Sequence, residues 1–541
     1  EFSKLETEYI KMVLGFHRLA INGINTESNQ PIVFNDIILI CNGEIYNYKQ
    51  LYKTLNITPK TNSDCEVIIH VFLKYGIDQT LVMLDGVYSF VLYDQRINNE
   101  CVNNIYIARD PLGVRPLYKL YNINDNYNLY NLYGFASELK CLEYFYNLNK
   151  YHYLIEQFEP GTYSVFQYGS NGKSFWEPIV TNKRYFIPPF PHSILEKDVE
   201  HLQDNLYNIS SYLNAAVVKR CKATERPVAC LLSGGLDSSL IAALAVNYFS
   251  TMGIKIETYS IGLENSEDTK YAKIVAEYIG SKHTEIIVTE QDMFDTIPEV
   301  IRAIESYDTT TVRASIGNYL IGKYISKNSN AKVIFNGDGS DELFGGYLYM
   351  HKCPDDIEFD IEIRRLMKDI HLFDVLRSDK SISSNGLEPR TPFLDRNFVN
   401  YVLSVPIFFR NHNNFLEQEK YLLRRSFSEP YFLNKKGKAI LPDEILWRKK
   451  EAFSDGVSSH GKSLYKILQE KIAEKLNKEQ EEFQKRAINL EKDKVYFTFE
   501  STIETEKMYY KHIFDKEFPN CSHILPYFWM PKYTNATDPS A

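Results

Sequence analysis

Val228 to Val246 reads VACLLSGGLDSSLIAALAV. The five leading apolar residues suit a buried parallel strand, and Leu240 to Val246 suit the first turns of a helix. Between them Ser233-Gly234-Gly235-Leu236-Asp237-Ser238-Ser239 must turn sharply. The two glycines permit backbone conformations and close approach denied to other residues. A helix N-terminus presents unpaired N–H groups and a partial positive charge, so the loop is built to receive an anion such as phosphate. Ser233, Ser238 and Ser239 add hydroxyl donors. There is no GxxxxGK[ST] and no GxGxxG in the chain, which excludes the two commonest phosphate loops. Asp237 inside a phosphate cradle would repel the ligand unless a cation lay between them, so Mg²⁺ is implied.

Around this stretch the chain changes grammar. From residue 10 to about 165, MVLGFHRLAI, DIILICNG, GVYSFVLYDQR, NIYIARDPLG and LYGFASE read as strands and DCEVIIHVFLKYG as a helix, an α+β layout with antiparallel pairing. PPFPHS, Pro188 to Ser193, is a linker candidate, since its three prolines cannot continue an element. After residue 200, PVACLL, ETYSIGL, HTEIIV and KVIFNG alternate with helix-length segments, the signature of a parallel sheet covered by helices. Beyond about residue 360 the chain reads as mostly helical. There Leu464, Ile467, Leu468, Ile472 and Leu476 recur at helical spacing in a charged context that predicts a solvated surface helix.

A chain of 541 residues is too long for one core, so two to four domains are expected. Its formal charge of −9 argues against a general nucleic-acid surface. No apolar run approaches the roughly 18 residues that span a bilayer. The eight cysteines are scattered and form no CxxC, which favours a reduced, cytoplasmic enzyme over a zinc site or a disulfide framework.

SGGLDSS resembles the pyrophosphate loop of the N-type ATP pyrophosphatases. CNGEIYN (41–47), NSDCEVI (62–68), ARDPLGVRPLY (108–118), ESYDTTTVRAS (305–315), GDGSDELFGGYLYMHK (337–352), GLEPRTPFLD (386–395), EKYLLRR (419–425), WRKKEAFSDG (447–456) and the final NATDPSA follow in order. Together they resemble glutamine-dependent asparagine synthetase. The resemblance implies two domains. The first, residues 1–187, is a truncated α+β glutamine amidotransferase of the Ntn-hydrolase sandwich type. Residues 188–199 are the linker. Residues 200–541 are an α/β parallel-sheet synthetase with a helical C-terminal region. Such enzymes adenylate the side-chain carboxylate of aspartate with ATP, then let ammonia from glutamine displace AMP. The implied partners are these small molecules, with no nucleic acid or membrane, and a homodimer is possible.

By the same resemblance Ser233, Gly234, Gly235, Asp237 and Ser238 form the cradle, and Asp237 and Asp341 hold Mg²⁺. Leu231 or Leu232, Ile261, Asn336 and Gly337 meet the nucleotide. Lys450 stabilises charge in the adenylated intermediate. Family members read SGEGSDE where this chain has Asn336-Gly337-Asp338-Gly339-Ser340-Asp341-Glu342, so the family's catalytic glutamate is Asp338 here. A carboxylate one methylene shorter predicts an active but slower synthetase.

For glutamine, Arg18, Asn42, Gly43, Glu44 and Asp64 match the family's binding residues. A guanidinium suits the α-carboxylate, and the two acids suit the α-ammonium. Leu19, Ala20, Ile21 and Asn22 continue the wall from Arg18, and Asn42-Gly43 suits an oxyanion hole. The family's N-terminal cysteine nucleophile has no counterpart among residues 1–17, and Cys41 lacks the free α-amino group the role needs. Either that segment was left out of the sequence or the protein uses free ammonia; the retained glutamine residues favour the first. The chain as written is expected not to hydrolyse glutamine. Two alternatives are a β-lactam-synthetase-like ring-closing enzyme and a non-catalytic paralogue that binds ATP or amino acids.

Overall fold

The structure is a computed structural model that describes residues 2–6, 11–96, 103–122, 133–148, 150–168, 176–191, 200–450, 462–486 and 499–539. Residues 192–199 of the expected linker, 451–456 of WRKKEAFSDG and the last two residues lie outside these.

The first half is built on antiparallel pairing. A six-stranded sheet has Ile37–Ile45 paired with Gly86–Asp94, so that Ile45 lies opposite Gly86 and Asn42 opposite Ser89. Alternation sends Ile37, Leu39 and Cys41 to one face, where they pack with residues of the helices Tyr48–Leu55 and Val67–Met83. Ile38, Val91 and Tyr93 go to the other face, against Phe158 and Phe135, the latter from a separate three-stranded sheet. With both faces covered, the strands read as continuous apolar runs.

In the second half five parallel strands stand in the order Lys282–Ile287, Glu257–Gly262, Val228–Leu231, Val333–Phe335, Glu388–Arg390. The chain builds outward from Val228–Leu231 in one direction, then returns to its other side. That reversal opens a crevice beyond the carboxyl ends of Val228–Leu231 and Val333–Phe335.

Several expectations are corrected here. MVLGFHRLAI is not one strand: pairing ends at Gly15, and residues from 16 onward form a loop whose polar groups bond elsewhere. Glu388–Arg390 escapes the sequence pattern because it is three residues long and holds Pro389, tolerable only on an edge strand. The helix Leu464–Arg486 is not a solvated surface helix. Its Leu464, Ile467, Leu468 and Ile472 are buried with Tyr510 and Phe514 of the helix Ile503–Glu517. Its charges occupy the remaining face.

The two halves share one core. Ile21, Tyr46, Val87, Leu112 and Val114 belong to the same apolar cluster as Val228, Leu232, Leu240 and Phe335.

Candidate functional site

At the crevice, the strand Val228–Leu231 hands over to the helix Leu236–Phe249 through the Ser-Gly-Gly turn. Gly234 has φ +78°, and a Cβ there would fall 2.5 Å from the Ala272 main-chain nitrogen, so only glycine fits against the neighbouring helix. Gly235 at the N-cap offers no side chain to the first helical N–H groups. Ser233 donates its main-chain N–H to Ser238 Oγ at 3.1 Å, and the two hydroxyls stand 3.0 Å apart. Leu231, Leu232 and Ile261 lie at or just beyond the carboxyl ends of adjacent strands, joined where Leu232 N–H donates to the Tyr259 carbonyl at 2.8 Å. Asn336 and Gly337 follow the strand on the other side. A Cβ on Gly337 would sit 2.6 Å from Ser238 N, so this residue packs directly on the cradle.

Asp237 and Asp341 come together with an ammonium between them. Lys420 donates to Asp237 Oδ2 and stands 2.7 Å from Asp341 Oδ1, while Lys450 Nζ lies 2.6 Å from Asp341 Oδ2. Ser340 Oγ donates to Asp237 Oδ1 at 2.7 Å. Burial pushes the Asp341 carboxyl up, yet the two lysines outweigh it and hold the group well below the usual carboxylate range. Burial opposes the charge on Lys420, and Asp237 and Asp341 more than restore it. Two carboxylates from separate segments facing one point suit Mg²⁺, which takes one or two such groups alongside substrate phosphates. Among the described residues no cluster of three or more His, Cys, Asp or Glu could hold a metal unaided.

Asp338 lies beside Arg377, whose Nη2 is 3.6 Å from Asp338 Oδ1 and 2.8 Å from Asp374 Oδ1. Burial raises the Asp338 carboxyl, and Arg377 opposes the shift. Asn336 Nδ2 donates to Ser378 Oγ at 2.6 Å, one residue along the same helix, Asp374–Ser383. The first turn of that helix therefore faces the candidate nucleotide residues.

The candidate glutamine residues also converge. Asn22 Nδ2 donates to Glu44 Oε2, and Asp64 Oδ2 accepts the Ile45 N–H at 2.6 Å. Burial lifts the Asp64 carboxyl to about 6, against the pull of that N–H. Burial, joined by the charges of Asp64 and Glu388, raises Glu44 well above its ordinary value. Gly43 is required by the sheet, since a Cβ would meet the Val87 carbonyl oxygen at 2.2 Å. Arg18 turns its guanidinium onto its own loop: it donates to the carbonyls of Asn22 at 2.8 Å and Asn25 at 3.2 Å, and to Gly23. Leu19 is exposed, whereas Ile21 is buried in the shared core.

Sequence reasoning gave no role to Lys420, Arg377 or Arg390. Lys420 and Arg390 stand within EKYLLRR and GLEPRTPFLD, but their partners are remote: Lys420 meets Asp237 and Arg390 meets Glu44; Arg377 stands in no such motif. A buried ionic chain joins the halves. Arg390 pairs with Glu388 at 2.7 Å, Glu388 lies 3.4 Å from Arg115, and Arg115 pairs with Asp379 at 2.5 Å.

Residues 208–360 and 354–523 match a family described as Asparagine synthase, and residues 4–177 match one described as Glutamine amidotransferase domain. A relative named asparagine synthetase [glutamine-hydrolyzing] from Gallus gallus is 41% identical over 540 residues, 97% of this chain and 90% of its own. Proteins of the same name from Cricetulus griseus and Homo sapiens are 39% and 38% identical, each over 98% of this chain and 91% of theirs.

Proposed function

The chain belongs to the glutamine-hydrolysing asparagine synthetase family, and from that premise we propose which of its residues carry the chemistry. The protein is an ATP-dependent carbon–nitrogen ligase. It turns aspartate, ATP and glutamine or ammonia into asparagine, AMP, pyrophosphate and, from glutamine, glutamate, by way of β-aspartyl-AMP. Neither the ring-closing nor the non-catalytic alternative has a structural observation in its favour.

The observation that carries the assignment is the meeting of Asp237, Lys420, Asp341 and Lys450 at the mouth of the Ser-Gly-Gly loop. Cleavage between the α- and β-phosphates spreads negative charge over pyrophosphate, which needs donors fixed beforehand. Ser233, Gly234, Gly235 and Ser238 supply them from the cradle, and Lys420 and Lys450 supply positive charge held in place by Asp237 and Asp341. Leu231, Leu232, Ile261, Asn336 and Gly337 seat the nucleotide by main-chain contact. Mg²⁺, held by Asp237 and Asp341, would neutralise the phosphates. Asp338 faces the acyl-adenylate, where a carboxylate can take a proton from the attacking ammonia.

In the first half, an Ntn-hydrolase-type sandwich ending near residue 187, Asp64 and Glu44 receive the glutamine ammonium. Arg18 shapes the loop that meets the carboxylate, and Asn42-Gly43 stabilise the oxyanion. Residues 188–199 link it to the synthetase half, 200–541. The seven described cysteines are all free, which suits a reduced cytoplasmic setting. No helix among the described residues is long and apolar enough to cross a membrane.

The test is formation of asparagine and pyrophosphate from aspartate, MgATP and ammonium chloride, with glutamine supplied in parallel. Equal amounts of the two products with ammonium are expected. Pyrophosphate without asparagine, or neither product, would overturn the assignment of the synthetase residues.

A further inference from the structure

The loop that carries the candidate glutamine wall is stitched, residue by residue, to the segment that leads into the pyrophosphate loop. The Ala20 carbonyl accepts from Arg226 Nε at 2.8 Å. The Ile21 carbonyl accepts from the Glu225 N–H at 3.2 Å. Asn22 Nδ2 donates to the Ala223 carbonyl at 3.2 Å, and the Gly23 N–H donates to Glu225 Oε1 at 3.0 Å. Four consecutive residues thus bond to the stretch 223–226, which leads through Pro227 into the strand Val228–Leu231.

The loop has little else of regular structure to define it. Its strand ends at Gly15, and residues 16–25 form no helix or sheet. Gly23 sits at φ +62°, where a Cβ would clash with Ser28 Oγ at 2.4 Å, so the chain path at this corner is narrowly set. Arg18 bonds to carbonyls of the same loop and so depends on that path. Arg226 is half-buried and Glu225 exposed, and neither belongs to a motif singled out in the sequence.

We propose that Glu225 and Arg226 are positioning residues for glutamine, holding the wall Ala20–Gly23 in place from the synthetase half. The inference rests on the assignment of Arg18, Glu44 and Asp64 to glutamine. The two side chains touch no reacting atom. They act through the carbonyl of Ala20 and the N–H of Gly23, which fix where Arg18 and Asn22 stand. A displacement near 1 Å in such a site can cost roughly a hundredfold.

The experiment measures glutamine affinity by calorimetry, and asparagine formation from ammonium, on the full chain. It compares the parent with R226M, E225A, the double variant and R226K, since alanine removes the acceptor of the Gly23 N–H. We expect the double variant to bind glutamine about tenfold or more weakly, while ammonium-supported synthesis stays within about twofold. R226K keeps one donor for the Ala20 carbonyl and should recover most of the loss. An unchanged glutamine affinity in the double variant would overturn the inference. So would a parallel fall in ammonium-supported synthesis and melting temperature, which marks a general structural role. If the parent makes asparagine from ammonium yet binds no glutamine, the glutamine-site assignment itself falls, and this inference with it.

Discussion

Arg390 stands 3.5 Å from Glu44 with its guanidinium, while its own main-chain carbonyl accepts the Asn336 N–H at 3.1 Å. One residue of the edge strand therefore touches a candidate glutamine ligand with its side chain and a candidate nucleotide ligand with its backbone. The guanidinium is fully buried and also bonds the Ala223 carbonyl at 2.7 Å. It is the same carbonyl that accepts from Asn22.

Asp338 sets the first prediction. D338N removes the proton acceptor and should lower ammonium-supported asparagine formation by about a hundredfold or more. D338E restores the longer side chain of the family and should keep or raise the rate. Steady-state kinetics at saturating aspartate and MgATP checks both. Loss of activity in D338E would mean that Asp338 does not occupy the position assigned to it.

Lys420 predicts a metal-dependent stability. In K420M, Asp237 and Asp341 lose the ammonium between them, and uncompensated charge of this kind costs on the order of 3 kcal/mol. Thermal unfolding should show a clear drop in Tm without metal. Added Mg²⁺ should raise the Tm of K420M more than that of the parent, because the cation replaces the missing charge. Equal responses of the two proteins to Mg²⁺ would separate Lys420 from the metal site.

Asp64 predicts a pH dependence. Its carboxyl titrates at about 6 because of burial, so below that value it is neutral and cannot pair with an ammonium. Glutamine should bind progressively more weakly as the pH falls through about 6, and D64N should flatten that profile. The effect on stability has the opposite sense. A raised carboxyl favours the folded protein below its ordinary value of 3.8, and that contribution is lost as the pH rises through about 6.

Gly337 predicts a lesion confined to the synthetase half. In G337A the new methyl would press on Ser238 N at 2.6 Å and the Asp237 carbonyl carbon at 2.8 Å, both main-chain atoms that cannot swing away. Overpacking of this kind costs about 1–3 kcal/mol. Pyrophosphate release should fall at least about tenfold, with glutamine affinity unchanged. Calorimetry and a pyrophosphate assay separate the two effects.

What the sequence discloses about this fold follows from range. The strand–loop–helix at Val228 to Phe249 is legible because every constraint is local: an apolar run, a glycine turn, a helix start. The four strands named after residue 200 stand where alternation with helices puts them. Asp237 and Asp341 are findable because each lies in a motif, yet the ammonium that joins them belongs to Lys420, 183 residues from Asp237. The ionic chain through Glu44, Arg390, Glu388, Arg115 and Asp379 is illegible for the same reason. Charged residues scattered along a chain read as solvated until the fold buries them together. The misreading of Leu464, Ile467, Leu468 and Ile472 has another cause. Their stripe is narrow among many charges, and only the helix Ile503–Glu517 reveals what covers it.

The shared apolar cluster also limits how far the two halves can be treated as exchangeable parts. Ile21, Tyr46 and Val87 contribute to the interior that supports the strand Val228–Leu231, so a cut in the linker leaves each fragment with a bare hydrophobic face. Grafting either half onto a distant relative would bring together two surfaces whose shapes were never fitted to each other.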